Sequence, residues 1–335
     1  MSKVTYLLGA GASAGTRNSE GGIIRGLPTI NEIPHAIDIL LRSYHNEFLY
    51  GNHPIIDALL WLQQKCLDYP TIDTYAKILY TTGTGSDEEY CHLKRVLSLF
   101  FMLYQTKENR DLRYDNFVAS LMGIDKTLPP IDILTWNYDA QLELAFDEYF
   151  KCGIRNLWMG VLNVCDKSYF HTYFQPNNPF SITKLNGTAF FEQNDSSGRT
   201  GIIDFILSDW SKTQKLNKAE EILSAKYNLM DLNLPQSGIS YVWEKGLDNE
   251  FLPKIENRIK TTEVLVIIGY SFPYVNRPTD RFLFTSMPNL KKIYIQDPRA
   301  EQIADTISTL CKISREQMVF KNADNQFVIP FELEI

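Results

Sequence analysis

The five cysteines of this 335-residue chain, Cys66, Cys91, Cys152, Cys165 and Cys311, are scattered, and no two form a C-x-x-C pair. That spacing gives no support to a disulfide framework or to a zinc module built on paired thiolates. Each cysteine reads instead as a small buried hydrophobe. The chain also lacks an apolar run long enough to span a membrane. Its start, "MSKVTYLLGAGAS", has no basic leader, apolar stretch or cleavage site of a signal peptide, so a cytoplasmic protein is expected. Basic residues are in deficit, 33 Lys and Arg against 40 Asp and Glu, for a net charge of −7. This balance argues against a general electrostatic grip on nucleic acid or an anionic membrane. No internal repeat or low-complexity tract is present.

What is present is an ordinary globular composition, 44% hydrophobic and 13% aromatic. It suffices for one large domain or a core with an insertion. A strand-like run from Val4 to Leu8 opens into "GAGASAGTRNSEGG". From about Thr29 to Gln105, apolar residues recur at helical spacing in "TINEIPHAIDILLRSYHNEFL", "PIIDALLWLQQKCLD" and "DEEYCHLKRVLSLFFMLYQ". Then come the strand "IDILT", a helix "AQLELAFDEYF" and the strand "SITKL". In the stretch 191–249 only a loop, "EQNDSSGRTG", and a helix, "NKAEEILSAKYNLM", are legible. The alternation resumes with "EVLVIIG", "RPTDRFLFTSM", "KKIYIQ" and "RAEQIADTISTLC". Continuous apolar strands alternating with helices predict an α/β fold, a Rossmann-like doubly wound parallel sheet covered on both faces. Residues 1–28 and 115–335 are expected to form that core, with an irregular insertion at about 191–250 and an inserted helical module at 29–114.

Several expected strand ends carry small or polar residues, where open α/β sheets hold ligands. Gly9 and Gly11 stand where a strand turns towards a helix, so backbone amides could face a pyrophosphate; glycines there also serve tight packing alone. "IDILTWNYD" stops an apolar run on Asn137 and Asp139. "VLVIIGYSFP" ends on Gly269, Tyr270 and Ser271, a turn that admits a ligand or is only a turn. Asp297, before Pro298, could accept from ribose hydroxyls or cap the following helix.

Taken in order, "GAGAS", "TWNYD", "KLNG", "GYS" and "DP" resemble the sirtuin-like fold of NAD-binding proteins, and within it the bacterial branch that cleaves NAD in antiphage defence. The resemblance implies that Gly9, Ala10, Gly11 and Ser13 form the first phosphate-contacting turn, that Asn137 is the catalytic asparagine and that Asp139 is the acid near the nicotinamide carboxamide. It places Trp136, Gly269, Ser271 and Asp297 around the nucleotide. NAD would be the substrate, with no metal required. Cleavage of the nicotinamide–ribose bond develops oxocarbenium character, so the site needs an oriented ribose, a positioned water and a proton acceptor. An amide side chain offers a donor and an acceptor without a charge.

One position departs from the pattern. Where the family writes K-L-H-G, this chain has "KLNG", with Asn186 in place of the histidine. Three readings follow: hydrolysis with another base, nucleotide binding without cleavage, or water held by amides at a reduced rate. His171, the only histidine between Asn137 and the C-terminus, is the substitute base or an aromatic neighbour in "SYFHTYF". The absent zinc module counts against an acyl-lysine substrate and leaves water as the acceptor. No stretch reads as a sensor domain, so the resemblance implies a homo-oligomer controlled from outside, with a HerA-like ATPase or another sensor protein as partner.

Overall fold

The computed structural model describes residues 3–45, 54–83, 88–106, 109–166, 178–194, 200–203, 211–224, 235–244, 248–322 and 326–333. The described strands, in chain order, are β1 (Lys3–Leu8), β2 (Thr16–Arg17), β3 (Ile23–Arg25), β4 (Ile131–Thr135), β5 (Val164–Asp166), β6 (Ser181–Lys184), β7 (Gly187–Asn194), β8 (Thr200–Ile203), β9 (Gln236–Ile239), β10 (Thr262–Ile268), β11 (Lys292–Gln296) and β12 (Met318–Lys321).

Seven of them form one sheet in the order β12-β11-β10-β1-β4-β6-β5, and every pairing in it is parallel. Period-two alternation explains why both faces must be covered. Val4, Tyr6, Leu8, Ile131, Ile133, Val264 and Val266 enter one hydrophobic cluster. Leu7, Leu134, Leu265, Ile267, Ile293 and Ile295 enter the other, together with the helices Asp248–Ile259, Arg277–Thr285 and Ala300–Ser308. The chain therefore forms the doubly wound α/β fold expected of its sequence.

From β1 the chain crosses to β4 on one side, and it later returns to β10 on the other. The loops leaving β1 and β10 therefore diverge, and this switch in direction opens a crevice at the C-terminal ends of the strands.

Between β3 and β4 lie the helices Ile33–Ser43, Pro54–Asp68, Ile72–Thr82, Glu88–Tyr104 and Leu112–Leu121. Two of them start on side-chain caps: the Thr71 hydroxyl accepts from Thr74 N at 3.1 Å, and an Asp111 carboxylate oxygen accepts from Arg113 N at 3.0 Å. Helix Glu88–Tyr104 is buried on nearly all sides from Tyr90 onwards, as a helix hydrophobic around its circumference must be. The helical block and the first face of the sheet share one hydrophobic cluster. The expected module boundary at 114/115 falls inside the helix Leu112–Leu121. Among the described residues no helix is long and apolar enough to cross a membrane.

Among the elements that escaped the sequence reading are two edge strands and a small antiparallel sheet. β5 and β12, of three and four residues, are edge strands too short to show a period. The stretch after β6 contains an antiparallel sheet in the order β8-β7-β9. The string read as a loop, "EQNDSSGRTG", contributes the end of β7 and the start of β8, because its polar alternation hides a hairpin that depends on packing.

Candidate functional site

A cleft enclosing about 710 Å3 of empty space, its open mouth included, lies over the strand ends. Its floor comes from three strand ends: Ala10 and Ser13 after β1, Trp136 to Asp139 after β4, and Gly269 to Ser271 after β10, with Asn186 beside them after β6. Its roof comes from the helical block and the segment leading to it, with Leu27, Pro28, Ile30, Ile33, Asp73 and Phe101.

The glycines decide how close the strand ends come. Gly9 N and Gly11 N donate to the carbonyls of Ile268 and Gly269, both at 3.0 Å, so the turn after β1 lies directly on the turn after β10. A methyl group on Gly11 would sit 2.7 Å from Gly269 Cα, and one on Gly269, whose φ is +61°, would sit 2.3 Å from Ala12 N. Gly9 and Gly11 thus adjoin the cleft without lining it, and their glycine identity is required by this backbone contact. The next residue but two after Gly269, Phe272, holds the left-handed conformation at φ 54°, a strained geometry for an aromatic residue.

Asn137 is the fixed point of the floor. Its Nδ2 donates to Gly9 O at 2.9 Å and to Ser13 Oγ at 3.1 Å. A backbone carbonyl can only accept, so the orientation of the amide is determined. Both donor hydrogens are spent within the protein, and Oδ1 has no hydrogen-bond partner among the described residues. Asn137 therefore presents an acceptor to the cleft. Ser13 Oγ also bonds the Tyr114 hydroxyl at 3.0 Å.

Asp139 is buried, and one of its carboxylate oxygens accepts from Gln141 N at 2.9 Å. Burial raises its pKa, against the lowering pull of Lys184, the Gln141 amide and the Ser13 hydroxyl. Lys184 Nζ donates to the Asp139 carbonyl at 2.5 Å and pairs with Glu143 at 2.7 Å, a buried ion pair beneath the floor. Trp136 stacks on Tyr270 with centroids 5.5 Å apart and ring planes 15° apart.

Asn186 lines the cleft, but its amide bridges two backbone segments, donating to Trp136 O at 3.5 Å and accepting from Val242 N at 3.3 Å. The following Gly187, at φ +70°, allows β9 to approach: a methyl there would meet Gly238 O at 2.1 Å. Asp297 does not line the cleft. Its carboxylate accepts from Arg299 N at 2.8 Å in the turn that leads into the helix Ala300–Ser308. His171 lies outside the described residues, and His35, His45 and His92 do not line the cleft.

Sequence reasoning missed Asp73. It sits in the first turn of the helix Ile72–Thr82, a place where an acidic residue ordinarily serves the helix dipole in water. Here it is only 8% exposed. One carboxylate oxygen accepts a short hydrogen bond from the Tyr138 hydroxyl. Burial pushes its pKa up to about 6, only partly opposed by that bond. Nothing in "PTIDTYAKIL" separates this carboxylate from a solvated one; only its packing against Tyr138 does. A second raised carboxyl, Asp280, pushed up by burial to about 7, accepts from the Tyr270 hydroxyl at 2.9 Å behind the cleft.

No family model and no curated protein sequence matches the chain. Among solved structures it is similar to a Sir2 enzyme at 13% identity and a TM-score of 0.41, over 96% of this chain and 88% of that one. It is also similar to a Sir2 homologue in complex with NAD, at 12% identity and a TM-score of 0.39 over 97% and 85% of the two chains. A substituted Sir2 homologue in complex with ADP-ribose follows at 12% identity and a TM-score of 0.37, over 93% and 86%. The chemistry of the cleft is accordingly read from its own residues. Among the described residues no group of three His, Cys, Asp or Glu side chains is arranged to hold a metal ion. Among the described residues the cleft lining contains no Lys, Arg or His.

Proposed function

We propose that the chain is a sirtuin-like NAD glycohydrolase that converts NAD and water to nicotinamide, ADP-ribose and a proton. The observation that carries this reading is the convergence of Asn137, Ser13, Asp139, Gly269 and Ser271 on one cleft at the switch in strand direction, the strand-end motifs on which the sequence resemblance rests. A neutral acceptor at Asn137 Oδ1 suits a ribose hydroxyl or a water molecule beside a carbon that gains positive charge. The nicotinamide ring loses its charge as it leaves, so its departure requires no strong acid. With no cationic side chain among the described lining residues, the diphosphate would rest on amides of the turns after β1 and β10 other than those of Gly9, Gly11 and Gly269, which donate to backbone carbonyls.

The wider reading is an NAD-depleting effector of bacterial antiphage defence, homo-oligomeric and controlled by a HerA-like ATPase or another sensor protein. It rests on the motif resemblance alone. A second reading, a catalytically silent NAD or ADP-ribose-binding subunit, is favoured by Asn186, whose amide is occupied by backbone groups and cannot take a proton at neutral pH. Incubation with NAD, with chromatography of the products, separates the two. Equimolar nicotinamide and ADP-ribose support the glycohydrolase. Tight NAD binding with no nicotinamide released, alone and with the partner ATPase, refutes it in favour of the binding subunit.

A further inference from the structure

We infer that Asp73, reaching the cleft from the helical block, is the general base that activates water for attack on the ribose carbon, an assignment that rests on the NAD-cleaving reading. With Asn186 at the histidine position, the described floor offers no side chain suited to this task. Asn137 accepts hydrogen bonds but cannot be protonated at neutral pH. Asp139 lies within a knot of partners formed by Gln141 N, Ser13 and Lys184.

The roof is otherwise apolar: Leu27, Pro28, Ile30, Ile33 and Phe101 line it with Asp73, the one charged group on that wall among the described residues. One of its oxygens takes the Tyr138 hydroxyl, and the other has no partner among the described residues. Tyr138 adjoins Asn137, so the bond from its hydroxyl ties the carboxylate to the strand end that carries the open amide oxygen. Asn137 and Asp73 line the same cleft, and in the proposed arrangement a water there donates one hydrogen to each. In the reaction, the water oxygen bonds to C1′ as the C1′–N bond breaks. The electron pair of that bond passes to the ring nitrogen, neutral nicotinamide leaves, and the water proton moves to Asp73, which releases it to solvent.

The ionisable groups that sense Asp73 are Tyr138, Tyr241, Tyr270 and Cys66, contributed by the β4 end, the segment after β9, the β10 end and the helix Pro54–Asp68. Burial pushes all four upwards, so each is neutral near pH 7. No cation compensates the carboxylate among them, and its value of about 6 makes it an acceptor in its ionised form at neutral pH.

The test uses the full chain with NAD, following nicotinamide release between pH 5 and 8.5, NAD binding by calorimetry, and thermal melting. Asp73→Asn, which keeps an acceptor for the Tyr138 hydroxyl, is expected to slow release by about 100-fold or more. NAD affinity should stay within about threefold, and the acidic limb near pH 6 should vanish from the residual rate. Tyr138→Phe removes the bond that lowers the Asp73 value, so the limb should move to higher pH; this variant carries the test should Asp73→Asn fail to melt cooperatively. Unchanged release and an unchanged limb in Asp73→Asn overturn the assignment while leaving the glycohydrolase reading intact. Loss of activity in His171→Ala with none in Asp73→Asn overturns it likewise. A wild-type protein that binds NAD and releases no nicotinamide overturns the reading and the base together.

Discussion

A base held at the wrong end of its ordinary pKa range should cost the fold stability, and Asp73 allows that cost to be worked out. Its carboxyl lies at about 6 in the folded chain against an ordinary 3.8. Unfolding therefore releases a proton wherever the pH lies between these values, and folding is opposed by ionisation. Below about pH 4 the penalty is absent, since both states hold the proton; it grows up to about pH 6 and is constant above. The gap corresponds to about 3 kcal/mol at pH 8, and roughly half of that remains at pH 5. Asp73→Asn keeps the shape and the Tyr138 partner while removing the buried charge, so it should stabilise the protein as it removes activity, a trade typical of functional positions. With an unfolding entropy of about 2.1 cal/mol/K per residue, the gain corresponds to a rise in Tm of about 4 °C at pH 8 for a chain of this length and about half that at pH 5. Differential scanning calorimetry of both proteins at the two pH values measures it. A variant that melts lower than wild type, or whose Tm difference does not shrink on acidification, would show that Asp73 is a structural carboxylate and refute the reasoning.

Other perturbations follow from the same geometry. Asn137→Ala removes two hydrogen bonds that hold the turn after β1, so besides abolishing nicotinamide release it should lower stability by about 1–3 kcal/mol in chemical denaturation; an unaltered midpoint would contradict the bonding described. Gly269→Ala adds a methyl 2.3 Å from Ala12 N at a φ of +61°, so a fall in Tm of several degrees is expected together with weakened NAD binding, and a neutral substitution would argue against the contact between the two turns. Lys184→Met strands the buried Glu143 carboxylate beneath the floor, and a loss of about 3–5 kcal/mol is expected in urea titration. Because the described lining has no cationic side chain, NAD affinity should vary little between 50 and 300 mM salt, the behaviour of a site that binds through backbone dipoles; a steep salt dependence would place a Lys or Arg at the diphosphate.

The sequence by itself determined five of the seven strands of the sheet and the strand ends that meet the cleft. "IDILT" coincides with β4, β10 falls on the nearly continuous apolar run "EVLVIIG", and β1, β6 and β11 fall on short runs rich in β-branched and aromatic residues, the composition that suits a buried strand. It also determined that Asn137, Asp139 and Ser271 stand at such ends, where the chain leaves the sheet and meets the cleft. It did not determine what the turn glycines do: whether Gly9 and Gly11 face a ligand or another backbone depends on how near β10 comes, a contact spanning more than 250 positions of chain. The surroundings of Asp297 were open in the same way, since its carboxylate meets Arg299 N in the turn before the helix Ala300–Ser308. The short antiparallel strands after β6 were silent because their pairing is stabilised by the helix they cover, not by a local pattern. Asp73 was silent for a stronger reason. An acidic residue in a first helical turn is ordinary in water, and it becomes a titrating group near neutrality only when a tyrosine 65 positions later and an apolar roof exclude the solvent around it, an environment that only the tertiary structure creates.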